Sequence, residues 1–196
     1  MARRVFFSFH YERDVWRANV VRNSWVTKPD RESAGFIDAS EFEEIKRQGE
    51  QAVKRWIDNQ LEGTSVTVVL IGTETYLRDW VRYEIVKSFD RGNGLLGIYI
   101  HQIEDQIEET SPKGKNPFDY LMLSIDNNGK AKYYKWDGLR WRLFDKYLNC
   151  SLSFDKKYWG KDYQFSLFFR IYDWVDDDGY NNLGDWVEGA PKQAGR

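Results

Sequence analysis

Residues Ser65 to Ile85, SVTVVLIGTETYLRDWVRYEI, limit the possible folds more than any other stretch of the chain. Val66, Val68, Val69, Leu70 and Ile71 form a short β-branched run bounded by Thr64 and Gly72, which reads as a strand buried on both faces. Such strands belong to parallel sheets, whose neighbours are joined by helical crossovers. After Gly72, the residues Tyr76, Trp80, Val81, Ile85 and Phe89 recur at helical spacing, so the strand feeds a helix that packs back on the sheet. Trp80 and Glu84 are one helical turn apart on one face, which sets a carboxylate beside an aromatic side chain.

The same grammar occurs on both sides of this unit. Residues 3 to 9, RRVFFSF, predict a first strand, and Val15, Ala18, Val21, Arg22 and Trp25 predict a helix from Asp14 to Trp25 with Asp14 as its N-cap. A polar loop over 26–34 with Pro29 leads to a short strand, GFID, at 35–38. One long amphipathic helix is expected from Glu41 to Leu61, with Phe42, Ile45, Ala52, Val53, Trp56 and Ile57 inward and Gly63 as its stop. Gly94 to Ile100 supplies a fourth strand. The pattern predicts an α/β fold, a doubly wound, mainly parallel, flavodoxin-like sheet flanked by helices, with strand order 2-1-3-4.

Beyond Ile100 the alternation stops. Residues 103–117 are polar and read as a loop, and AKYYKWDGLRWRLF around Asp137-Gly138 reads as a β-hairpin. Gln164 to Val175 places Leu167, Phe168, Ile171, Trp174 and Val175 at helical spacing, with DDDGYNN as the stop. The expectation is a single domain over 1–196, made of a core at 3–101, an extension at 102–188 decorating it with a hairpin and a C-terminal helix, and a frayed tail at 189–196. With 41% hydrophobic and 17% aromatic residues, including nine tryptophans, there is ample material for a packed core. A net charge of −2 gives no electrostatic reason to expect nucleic acid as a partner. The lone Cys150 excludes an internal disulfide framework, and no apolar run approaches the ~20 residues that span a bilayer. Met1 to Arg4 enters a strand instead of a signal peptide, so a cytoplasmic protein without membrane contact is expected.

In an open sheet of this order, ligands bind outside the carboxyl ends of strands one and three, where the order reverses. That rule selects SFHYER, Ser8 to Arg13, and the loop from Gly72 to Trp80. Neither loop has the Ser/Thr/Gly-rich phosphate turn of a flavodoxin or the G-x-G-x-x-G of a dinucleotide fold. Neither has the clustered aspartates with which a response-regulator receiver holds magnesium. Ser8, His10, several rings and one carboxylate remain.

These residues carry a family likeness. Val5 to Phe9 and Trp80 to Glu84 resemble the first strand and the W-C-x-x-E motif of TIR domains, with Val81 in place of the usual cysteine. The likeness is closer to the TIR proteins of the bacterial Thoeris anti-phage system, through RVFFSFHY, NVVRNSWV, SVTVVLIG, WVRYEI, NPFDYL and YDWVDDDGY, and it covers nearly the whole chain. It implies that Glu84 is the catalytic glutamate of an enzyme that breaks the nicotinamide–ribose bond of NAD. It further implies a cyclic ADP-ribose-type messenger that activates a separate NAD-consuming effector, and self-association through TIR surfaces. Phe9, Tyr11 and Trp80 would wall the base and ribose, and Ser8 and His10 would hold polar groups. NAD is then the substrate, with no further cofactor or metal.

Each residue also has a plainer reading. Glu84 could pair with Lys87 on the helix surface, Trp80 could be core, His10 could cap its loop, and Asp38 could cap the next helix. Asp176 to Asp178 lack the alternate spacing of a calcium loop and suit a solvated helix end. The WDGLRWR ribbon is expected to pack on the core. Two other functions compete: a non-catalytic TIR assembly module docking through loops such as Lys28 to Ser33, and an N-glycosidic enzyme of the nucleoside deoxyribosyltransferase kind.

Overall fold

A computed structural model describes residues 3–36, 39–144 and 150–193. The buried run becomes β3 (Val66–Ile71), every residue of which is buried. β1 (Arg3–Ser8) and β4 (Gly94–Tyr99) pair with it in parallel on either side. Side chains alternate along the strands. Phe6, Val69 and Ile71 face one cluster, while Val5, Phe7, Val66, Val68 and Leu70 face the other. Ser8 follows Phe6 in this alternation, so it points to the same side.

Three expectations in the first half are corrected. α1 spans Tyr11–Val26, starting before Asp14: the His10 carbonyl accepts the amides of Arg13 and Asp14, which puts Asp14 inside the first turn, buried, and not at the cap. β2 is Arg31–Ala34 and ends before Gly35 and Phe36 of the expected GFID strand, whose Ile37 lies outside the described residues, so half of the loop expected at Lys28 to Ser33 is strand. Only Ala34 of this edge strand is buried, and a polar Arg-Glu-Ser run carries no period-two apolar signal. The single helix expected over 41–61 is two, α2 (Ala39–Arg47) and α3 (Glu50–Leu61). They break at Gly49, whose φ of 95° is closed to an ordinary side chain. Asp38 lies outside the described residues.

After β3, a turn at Thr75–Leu77 leads into α4 (Asp79–Asp90). α3 and α4 cover one face of the sheet, and α1 covers the other. The second half then departs from expectation. β5 (Leu121–Ile125), β6 (Ala131–Trp136), β7 (Trp141–Leu143) and β8 (Lys161–Gln164) form a separate antiparallel sheet in the order β7-β6-β5-β8. The expected hairpin is β6 and β7, with Trp136 directly opposite Trp141, both half-buried.

The helix expected over 164–175 is instead a turn at Phe165–Leu167 followed by β9 (Arg170–Asp173). β9 pairs in parallel with β4, giving a main sheet of order β2-β1-β3-β4-β9. Its side chains alternate: Ile171 packs with the α3–α4 cluster and Tyr172 with the α1 cluster. Leu167 and Val175, assigned to a buried helical face, are 72% and 49% exposed. The DDDGYNN segment leads into a helix rather than ending one. α5 runs Gly179–Gln193, through most of the expected frayed tail, and buries Leu183, Val187 and Ala190 against the α1 side. The core expected at 3–101 is thus completed by a strand and a helix from beyond it. Among the described residues, no helix is long and apolar enough to cross a membrane.

Candidate active site

The carboxyl ends of β1 and β3 open into a cavity of about 300 Å³ whose wall includes Phe9, His10, Tyr11, Trp80 and Glu84. Five of the six residues singled out from the sequence therefore meet around one space. The sixth, Ser8, stands behind it. Ser8 ends β1 on the face covered by α4, and its Oγ donates to Glu84 Oε2 at 2.5 Å. Glu84 is 8% exposed. The surface pair with Lys87 does not form; Lys87 lies 3.9 Å from Asp58 instead.

Burial pushes the Glu84 carboxyl up to about 8, and the Ser8 hydrogen bond opposes part of that rise. In the free protein Glu84 is therefore mainly protonated at neutral pH, and a positive charge brought beside it would favour the ionised form.

His10, in the same cavity wall, is 7% exposed, and among the described residues neither ring nitrogen has a hydrogen-bond partner. Glu12 Oε2 lies 3.8 Å from its Nε2. Burial, reinforced by the Arg78 cation, lowers its pKa and keeps the ring neutral. A neutral imidazole offers one donor and one acceptor, and both are unused here. The apolar wall is continuous: ring centroids run from Phe36 to Phe9 at 4.9 Å, Phe9 to Tyr11 at 5.7 Å, Tyr11 to Phe42 at 4.9 Å and Phe42 to Trp56 at 5.7 Å.

The sequence reading missed two cations in this wall, Lys46 and Arg78. Lys46 pairs with Glu12, and with Glu43 at 2.9 Å. Arg78 pairs with Glu74, while its buried Nε has no partner among the described residues. Arg78 was within reach of sequence reasoning, because it lies in the loop that the switch-point rule selects. Lys46 follows Phe42 by one helical turn, a signal that becomes useful only once α2 is known to border the crevice.

The loop from Gly72 is held from below. Gly72 N donates to Thr75 Oγ1 at 2.9 Å, and Thr75 Oγ1 lies 3.4 Å from Asp14 Oδ2. The Asp14 carboxylate fills the space that a side chain at residue 72 would need. Burial raises its pKa to about 6.

A buried carboxylate, a neutral imidazole, two cations at the mouth and an aromatic wall suit a ligand with a flat cationic ring, hydroxyls and phosphates. The family described as Thoeris protein ThsB, TIR-like domain, matches residues 6–105. The chain is also similar to a Bacillus cereus (strain MSX-D12) protein named "Putative cyclic ADP-D-ribose synthase ThsB1", with 45% identity over 191 residues covering 95% of this chain and 100% of that protein. The match takes in both the β1 and α4 sides of the cavity, and the similarity extends through the second sheet. The chain belongs to the Thoeris ThsB family of TIR-like-domain proteins.

Proposed function

We propose that this chain cleaves the nicotinamide–ribose bond of NAD and closes the remaining ADP-ribose into a cyclic messenger, which activates a separate NAD-consuming effector in anti-phage defence. The observation that carries this reading is the Glu84 carboxylate, buried in a crevice beside Trp80 and held by Ser8. The name of the Bacillus cereus relative supports the cyclic product.

The chemistry suits a single carboxylate. An ordinary glycosidase needs a second carboxyl to protonate an alkoxide leaving group. Nicotinamide is already a cationic pyridinium in NAD and departs as a neutral amine, so no acid is required. When the pyridinium enters, its charge favours the ionised form of Glu84 and draws the carboxyl below the value it holds in the free protein. As the bond breaks, the positive charge passes to the ribose, and the carboxylate stabilises the oxocarbenium-like carbon in a site of low dielectric. Ser8 fixes the carboxylate rotamer. The free nitrogens of His10 take ribose hydroxyls or the carboxamide, and Lys46 and Arg78 serve the diphosphate. Phe9, Tyr11 and Trp80 line the base and keep water scarce, which favours attack from the adenosine end of the same molecule over hydrolysis. This reading needs no group besides NAD.

Mass spectrometry of products from NAD tests it, using purified protein and Glu84→Gln. Nicotinamide and a cyclic ADP-ribose isomer from the first and neither from the second are expected. Equal activity in both would refute the role of Glu84. Self-association through TIR surfaces belongs to the same reading, and turnover per chain should then rise with protein concentration.

A further inference from the structure

Two segments that the NAD reading leaves unused, NPFDYL and the WDGLRWR ribbon, converge on a second cavity of about 510 Å³ at the carboxyl end of β4. It shares no lining residue with the Glu84 cavity. Trp136 and Trp141 face each other across β6 and β7 with ring centroids 5.4 Å apart, edge to face. Tyr99, the last residue of β4, and Tyr120, from the turn that precedes β5, add two further rings. The polar lining includes Lys115, Asp119 and Gln164.

Three cations lie near these rings, two of them already paired, Lys113 at 3.8 Å from Asp173 Oδ2 and Arg82 at 3.4 Å from Asp79 Oδ1. Lys113 Nζ lies 4.2 Å from the Tyr99 centroid, and the Arg82 guanidinium 5.8 Å from that of Tyr120. Lys115 stands at the cavity itself, 5.6 Å from the ring of Tyr76. Four aromatic rings supply faces and edges for a flat heterocycle. A carboxamide such as Gln164 matches the paired donor and acceptor of a base edge. Asp119 is an acceptor for sugar hydroxyls, and Lys115 suits an anionic group.

We propose that this cavity binds a nucleoside monophosphate, its base against the Trp136–Trp141 pair and its phosphate at Lys115. A neutral sugar would also use rings, a carboxamide and a carboxylate, but it would bring no anion to Lys115, which lines the cavity.

Calorimetric titration of the full chain with adenosine monophosphate, adenosine, glucose and inorganic phosphate tests the proposal. Saturable binding of adenosine monophosphate is expected, weakened by about tenfold or more in Lys115→Ala and in Trp141→Ala. Trp80→Ala, which alters the other cavity, should leave that affinity within about twofold. Adenosine should bind about tenfold more weakly than its monophosphate, for want of the lysine contact. Loss of binding in Trp80→Ala with none in Lys115→Ala would assign the nucleotide to the Glu84 cavity and overturn the proposal. So would glucose binding in place of the nucleotide, inorganic phosphate binding as tightly as the nucleotide, or no saturable binding at all. Should Trp141→Ala melt early by circular dichroism, the exposed Lys115 still decides the question. The outcome is independent of whether NAD is cleaved.

Discussion

Ser8 Oγ donates to Glu84 Oε2 at 2.5 Å, a contact between residues 76 apart in the chain that joins the end of β1 to the second turn of α4. The two ends of this bond act against each other. Burial disfavours the charged carboxylate, and the hydroxyl favours it, leaving Glu84 near 8 in the free protein. Most of the expected behaviour of the site follows from that opposition.

The pH dependence of NAD cleavage is the most direct consequence. Since kcat/KM reports the free enzyme, it should rise with pH by about tenfold per unit until an inflection near 8, where Glu84 ionises. The inflection in kcat should lie lower, because the bound pyridinium already favours the carboxylate. Ser8→Ala removes a hydrogen bond to the charged form, so its kcat/KM inflection should move up. Nicotinamide release measured from pH 6 to 9 checks all three, and superimposable profiles for the two proteins would contradict the assigned role of Ser8.

Stability should respond in the opposite sense. Glu84 titrates at about 8 when folded and near 4.5 when unfolded, so over that interval the native state binds the extra proton and loses stability as pH rises. The loss is complete above the folded value, on the order of 5 kcal/mol. Glu84→Gln keeps the shape without the charge. It should melt well above the parent at pH 8.5 and close to it at pH 4.5. Coincident melting curves at both values would mean that the carboxylate is solvated.

How much of this was legible in the sequence depended on how each element is covered. β3 was readable because both its faces are buried, and a run such as VTVVLI has no other common use. β9 was not. It is a short strand at the end of the sheet order, and Leu167, Ile171, Trp174 and Val175 happen to fall at helical spacing although they point in different directions. The α2–α3 break hid behind an unbroken amphipathic pattern, because Gly49 interrupts the backbone without interrupting the apolar face. At the site, Glu84 and its rings followed from the switch-point rule and the TIR motif. The depth of burial of His10 did not, because a histidine in a loop looks alike whether its nitrogens are solvated or enclosed.

That enclosure puts a cost on folding that a substitution at His10 can measure. Two buried ring nitrogens without partners cost about 1–3 kcal/mol in desolvation. His10→Leu removes that cost at similar volume, so its thermal stability should equal or exceed that of the parent. If the nitrogens take up substrate, KM for NAD should rise by about tenfold. A variant with unchanged KM would return His10 to a purely structural place in the loop.

Gly72 tests how the loop that carries Leu77 and Arg78 is held. A methyl group at this position would overlap the Asp14 carboxylate, which is itself buried at 1% exposure. Either α1 or the loop must give way, and overpacking of this kind costs about 1–3 kcal/mol. Gly72→Ala should therefore lower the melting temperature. Nicotinamide release should fall along with it, since the displaced loop forms one wall of the Glu84 cavity. Asp14→Ala alone should also destabilise, by removing the contact with Thr75. The two changes together should be less harmful than their sum, because the second clears the space that the first requires. Purely additive losses in a double-mutant cycle would show that the cost of Gly72→Ala does not arise from Asp14.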